Sequence, residues 1–174
     1  MTHFTNTNNP VNFPKMKTAY ILVGVPGSGK STWVENMIRS NCMEHCAIIS
    51  TDYHVEQYAR SVGKTYSDVF EEYMPTAVKL MVEDVEAARN YDFNIIWDQT
   101  STTVASRAKK FRILPDYRHI AVVFKTPSAG ELQRRLLNRP GKHIPDHVLK
   151  SMIDGFVFPT KQEGYDQIWT VENN

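Results

Sequence analysis

Short apolar runs alternate with longer stretches in which apolar residues recur every three or four positions. The runs at 19–23, 47–50, 93–97, 120–124 and 168–171 predict five strands. One helix is expected to begin at the Lys30–Ser31 pair, and another carries Phe70, Met74, Val78, Met81 and Val85 on one face. Pro75 falls inside that second pattern and predicts a kink or the start of a further helix there. Helices are also expected at 103–113, 128–138 and 146–153. Strand and helix alternating in this way imply an α/β fold with about five parallel strands and helices on both faces. The Met and aromatic positions on the helices then belong to the core. In an open parallel sheet, ligands bind beyond the carboxyl ends of the strands. Three polar segments fall there: "GVPGSGKS" after the first strand, "STD" with Asp52 after the second, and "WDQT" with Asp98 after the third.

The first of these segments fits G-x-x-x-x-G-K-[ST] at every position, as Gly24, Val25, Pro26, Gly27, Ser28, Gly29, Lys30 and Ser31. Its glycines permit a tight loop whose N–H groups point inward, a nest for the β- and γ-phosphates of a nucleotide. The positive end of the following helix adds to it. Lys30 is expected to reach the β/γ oxygens, Ser31 to ligate Mg²⁺ and Thr32 to hydrogen-bond the α-phosphate. The chain is therefore expected to bind ATP with Mg²⁺ in a P-loop NTPase fold. A GTPase is excluded, because no glycine has an aspartate three places before it and no Asn-Lys-x-Asp occurs. A compact phosphoryl-transfer enzyme remains, which needs a base, a metal partner and cations on the transferred group.

Asp52 is the candidate base, placed to accept the proton of an incoming hydroxyl. It would equally suit the N-cap of a helix starting at Tyr53. Asp98 ends the apolar run "FNIIWD" and is expected to orient Mg²⁺-bound water or the acceptor hydroxyl; the competing role is a cap for a helix starting near Ser101. Arg135 and Arg139 stand four apart, hence on one helix face, ahead of a Pro140–Gly141 breaker. That pattern predicts a helical lid able to fold cations over the triphosphate.

With 174 residues the chain is expected to form one domain over 18–174, preceded by a flexible, Asn-rich tail at 1–17. A net charge of +1 decides nothing about partners, but its distribution is uneven. Residues 107–142 hold ten Lys/Arg against two acids, whereas 52–98 hold ten acids against four bases. Cys42 and Cys46 lack the second pair that a zinc site wants and read as reduced thiols of a cytoplasmic protein. No apolar stretch is long enough to span a bilayer, so no membrane partner is expected. Homo-oligomerisation stays open.

The segments "GVPGSGKSTW", "IISTD", "IIWDQT" and "ELQRRLLNRPGKHIPDHVLKSM" together resemble the kinase domain of the bacteriophage polynucleotide 5′-kinase family. The resemblance runs over roughly residues 17–152. It implies transfer of the γ-phosphoryl of ATP to a 5′-hydroxyl of DNA or RNA, with a nucleic-acid end as partner. It also implies Lys30 and Ser31 on phosphates and Mg²⁺, Asp52 as general base, Asp98 as an active-site acid and Arg139 as the lid arginine, with Arg135 beside it. Two features depart from the family. Where the family has an arginine three residues after the base, which grips the acceptor's phosphate, this chain has Val55, with His54 beside it and Arg60 farther on. No D-x-D-G-[ST] motif of a phosphatase domain occurs, so only a kinase step is expected. A nucleic-acid acceptor would draw phosphate contacts from the basic 107–142 segment and stacking from Tyr53, Tyr58 or Tyr66. The valine favours the alternative, a kinase of a small molecule or modified nucleoside. A nucleotide-dependent binding module without transferase activity is a third reading.

Overall fold

The computed structural model describes residues 16–40 and 45–172. Five strands, β1 (Thr18–Val23), β2 (Cys46–Ile49), β3 (Asn94–Trp97), β4 (Arg118–Phe124) and β5 (Gln167–Val171), form one sheet in the order β2-β3-β1-β4-β5. Every neighbouring pair is parallel. The five expected strands are all present, with ends shifted by at most two residues.

The central strand explains why the sheet is covered twice. Along β1, Ala19, Ile21 and Val23 face one cluster, which also holds Met81 and Val85 of α3 (Tyr66–Asn90). The intervening Leu22 faces a second cluster with Val34 of α1 (Lys30–Arg39). Side chains alternate sides along a strand, so a run apolar at every position must be buried on both faces. Ile21 and Leu22 are fully buried, each contributing about 1.5–3 kcal/mol.

α2 (Thr51–Ser61) and α3 pack against each other through Val55, Ala59, Val69 and Ala77, with the Tyr58 and Tyr73 rings stacked at 3.9 Å. α3 runs unbroken through Pro75, so no further helix starts there. Proline removes one intrahelical hydrogen bond. The capping box of Thr65 and Asp68 fixes the helix start, and Val69 and Ala77 bury the turns on either side of the proline. Three helices complete the fold: α4 (Val104–Ile113), α5 (Ala129–Leu137) and α6 (Asp146–Asp154). Of the expected tail, residues 1–15 lie outside the described residues, as does Cys42. Lys17 joins the fold through its carbonyl, which accepts from the Arg118 N–H at 2.8 Å, and through an ion pair with Asp92 at 2.9 Å.

Arg107 fastens the segment that precedes the last strand to the loop that carries Asp98. Fully buried on α4, it makes a two-pronged contact with Glu163 at 2.7 and 2.8 Å. It also donates to the carbonyls of Ser101 and Val157.

Candidate active site

The strand exits converge as the sequence implies. Gly24 follows β1, and its N–H donates to the Thr100 carbonyl at 2.9 Å, which ties the phosphate loop to the loop after β3. A Cβ at Gly24 would meet Ser28 Oγ at 2.5 Å and Phe124 Cβ at 3.0 Å, so a larger residue there must displace the Ser28 hydroxyl and crowd Phe124. Gly27 and Gly29 take φ of 79° and 98°, left-handed values open to glycine. Gly29 is the N-cap of α1 and supplies no side chain, so the first N–H groups of that helix are left for a ligand. Ser31 and Thr32, in the first turn of α1, are exposed beside this nest.

Lys30 is buried, and its Nζ donates to the carbonyls of Gly24 and Val25, both at 2.9 Å. Burial lowers its pKa to about 8, with Asp98 and Asp52 opposing the shift and Arg139 and Lys142 reinforcing it. Asp98, Asp52 and Arg139 thus all act electrostatically on Lys30. All four line a single cavity of about 1660 Å³ that also includes Ser31, Thr32 and Arg135.

Neither carboxylate caps a helix. α2 starts at Thr51, two residues earlier than an Asp52 cap requires, and Ser50 Oγ accepts the Tyr53 N–H as its cap. Likewise Thr103 caps α4 by accepting from Ser106 N–H, which leaves Asp98 free of that role. Asp52 Oδ1 accepts from the Tyr66 hydroxyl at 2.8 Å, and its Oδ2 pairs with Lys142 Nζ at 2.6 Å. Burial alone would raise the Asp52 pKa, but Lys142, Tyr66 and Arg139 together hold it below the usual carboxylate value. Asp98 behaves oppositely. Burial pushes its carboxyl up, Lys30 pulls it down, and the charge of Asp52 adds to the rise. One cavity thus holds an acid kept ionised and an acid made more basic.

The two lid arginines do not share a helix face. α5 ends at Leu137 with Asn138 as C-cap, so Arg139 stands in the turn beyond it, ahead of Pro140. Arg135, still helical, pairs with Glu131 at 2.5 Å and donates to the Gly27 carbonyl at 3.3 Å. The lid tip then reaches α2 through Lys142, which binds Glu56 at 2.8 Å as well as Asp52 and lies 4.2 Å from the centre of the Tyr66 ring. Sequence reasoning gave Lys142 no such role. Its only signal was a lysine three residues after Arg139, in a chain whose α2 presents Asp52 and Glu56 one turn apart on the same face.

Other expectations divide. Val55 is completely buried against α3, so position 55 points away from the cavity. His54 is engaged with Asp84 at 2.6 Å. Tyr58 is a packing residue, Tyr66 holds Asp52, and Tyr53 is exposed at the cavity. The basic 107–142 segment is not one cationic surface: Arg107 and Lys110 are buried, and Arg134 and Arg135 are both paired with Glu131. Among the described residues no group of three or more His, Cys, Asp or Glu is arranged to hold a metal ion. Nor is any described helix long and apolar enough to cross a membrane.

Comparison with known proteins fits this geometry. A family model described as AAA domain matches residues 20–159. A bifunctional polynucleotide phosphatase/kinase of Schizosaccharomyces pombe is 24% identical over 170 residues, covering 94% of this chain and 36% of that protein. This chain therefore spans about a third of that relative's length. A chain of the Pnkp1/Rnl/Hen1 RNA repair complex superposes with a TM-score of 0.64 at 24% identity, covering 83% of this chain and 45% of that one. A chain of the PezAT chromosomal toxin-antitoxin system of Streptococcus pneumoniae gives a TM-score of 0.68 at 19% identity, with 91% and 68% covered. Most of the chain lies within the family match, and that stretch includes the phosphate loop: the chain belongs to the AAA domain family and has a P-loop kinase-like fold.

Proposed function

We propose that residues 18–174 form a kinase domain that moves the γ-phosphoryl of ATP to a 5′-hydroxyl of DNA or RNA. The observation that carries the transferase reading is the meeting of Lys30, Asp52, Asp98 and Arg139 on one cavity at the carboxyl edge of the sheet. A binding module has no use for an ionised carboxylate held opposite a cationic lid.

In this reading the glycine nest and Lys30 hold the β- and γ-phosphates, and Thr32 the α-phosphate. The exposed Ser31 hydroxyl and the nearby Asp98 carboxylate fit Mg²⁺, an oxygen-seeking cation that keeps water and substrate phosphates among its ligands. Bound there, the ion would neutralise charge on the phosphates. Arg139 and Arg135 close over the triphosphate from the lid, where a guanidinium stabilises charge on the transferring group. Asp52 takes the proton of the acceptor hydroxyl as the new P–O bond forms and the bond to ADP breaks. For that, its Oδ2 must exchange Lys142 for the acceptor.

The polynucleotide acceptor is supported by the resemblance of the four quoted segments and by the yeast relative. Burial of Val55 favours the second reading, a small-molecule or modified-nucleoside acceptor, because the expected phosphate grip is missing from α2. Incubation with γ-labelled ATP, Mg²⁺ and a panel of 5′-hydroxyl oligonucleotides, nucleosides and sugars separates the two. Label on oligonucleotides that weakens as salt rises, as counterion release requires, supports the first. Label only on a nucleoside or sugar supports the second.

A further inference from the structure

Lys110 is a buried cation without an acid. It projects from the second turn of α4 and is 4% exposed. Its Nζ donates to one acceptor, the Ser106 carbonyl one turn back, at 3.2 Å, and lies 5.3 Å from the centre of the Trp97 ring. An ammonium has three protons to donate. Among the described residues no carboxylate pairs with Lys110, and the charges acting on it, Lys109 and Arg107, are both cations. Burial first, and those cations next, lower its pKa to about 8. Proteins seldom bury an ammonium without a carboxylate beside it, because desolvation is costly.

The position of Lys110 suggests what offsets it. It lines the cavity that holds Lys30 and Asp52. Trp97, against which it lies, belongs to the cluster on the α3 side of the sheet, whereas α1, which follows the phosphate loop, packs on the other side. Lys110 is therefore on the side where α3 supplies Tyr66 to Asp52, away from the helix that receives the donor phosphates. Ser101 lines the same cavity. Its Oγ is buried without a hydrogen-bond partner, and its backbone takes a φ of 48°, unusual for a residue other than glycine.

We propose that Lys110 and the Ser101 hydroxyl form an anion subsite in the acceptor half of the cavity, which takes a phosphate group carried by the acceptor. This rests on the kinase reading for the word acceptor, but the subsite itself rests on Lys110 and Ser101. The phosphate supplies the negative charge that the protein withholds from Lys110 and accepts the hydrogen bonds its ammonium leaves unmade. Such a site costs the ligand-free chain stability, and that cost separates a binding lysine from a structural one.

The test compares a nucleoside 3′-monophosphate with the same nucleoside by calorimetric titration of the chain saturated with ADP and Mg²⁺. The wild type should bind the phosphorylated compound about tenfold tighter or more, the range of charge-assisted hydrogen bonds. In K110M that preference should fall to about one, with K110R retaining part of it. The thermal midpoint of ligand-free K110M should equal or exceed that of the wild type. Equal wild-type affinity for the two compounds overturns the proposal, as does a K110M chain that melts several degrees lower and keeps the preference. Transfer of label from γ-labelled ATP to the 5′-hydroxyl, in parallel mixtures with ATP in place of ADP, reads the kinase assignment separately. Transfer without a Lys110-dependent preference sinks the subsite alone; the preference without transfer sustains the subsite and sinks the kinase.

Discussion

Replacing Lys142 by methionine keeps most of the side chain's apolar stem and removes the ammonium that bridges the lid to α2. The wild-type lysine is 11% exposed and touches Asp52 at 2.6 Å and Glu56 at 2.8 Å, whose side chains are 47% and 41% exposed. Half-exposed carboxylates are well screened, so the pair of contacts is worth about 1 kcal/mol at most. K142M should therefore unfold at pH 7 with a free energy lower by about that amount, measured by urea titration. The sign of its pH dependence follows from Asp52, whose carboxyl is held below its ordinary value. Such a group stabilises the fold above its unfolded pKa, and the stabilisation is lost as pH falls through the lower folded value. The gap between wild type and K142M should thus be present at pH 7 and close in acid. Phosphoryl transfer offers a second reading of the same bond. Without Lys142, Asp52 loses the strongest influence that lowers its carboxyl, so the acid limb of the single-turnover pH profile should move to higher pH. An acid limb that stays in place, with a stability gap that persists at low pH, would refute the idea that Lys142 sets the ionisation of Asp52.

Two other substitutions probe the frame of the site. Glu163→Ala leaves the fully buried Arg107 without its carboxylate and should cost about 3–5 kcal/mol, seen as a fall of roughly 10 °C or more in thermal midpoint; an unchanged midpoint contradicts the clamp. Gly24→Ala puts a methyl 2.5 Å from Ser28 Oγ and 3.0 Å from Phe124 Cβ, and should weaken ATP binding about tenfold or more in equilibrium titration; wild-type affinity would show that the loop has room.

The strands were legible because β1, β3 and β4 are buried on both faces, which writes continuous apolar runs into the chain. The phosphate loop was legible because its glycines answer to backbone geometry that no other residue meets. Asp52 and Asp98 could each be read as a cap or as a catalytic group. The cap reading fails only because Ser50 and Thr103 occupy the capping positions, which depends on helix starts that propensity does not fix to the residue. Pro75 reads as a breaker by local rules, but burial of Val69 and Ala77 overrides them. Charge counts misled most. A stretch of ten basic residues suggests a cationic surface, yet Arg107 and Lys110 are buried and two others turn back onto Glu131, because side-chain direction and ion pairing are tertiary facts. Lys142 was hidden for the same reason: its partners lie 86 and 90 residues earlier in the chain.

The central claim is that Asp52 is the proton acceptor of a phosphoryl transfer powered by a nucleotide on the Lys30 loop. Asp52→Asn tests it most directly, with γ-labelled ATP, Mg²⁺ and a 5′-hydroxyl oligonucleotide for transfer and equilibrium titration for ATP binding. The account predicts transfer slowed by about 10² to 10⁴ with ATP affinity nearly unchanged. An asparagine chain that transfers label as fast as the wild type contradicts it.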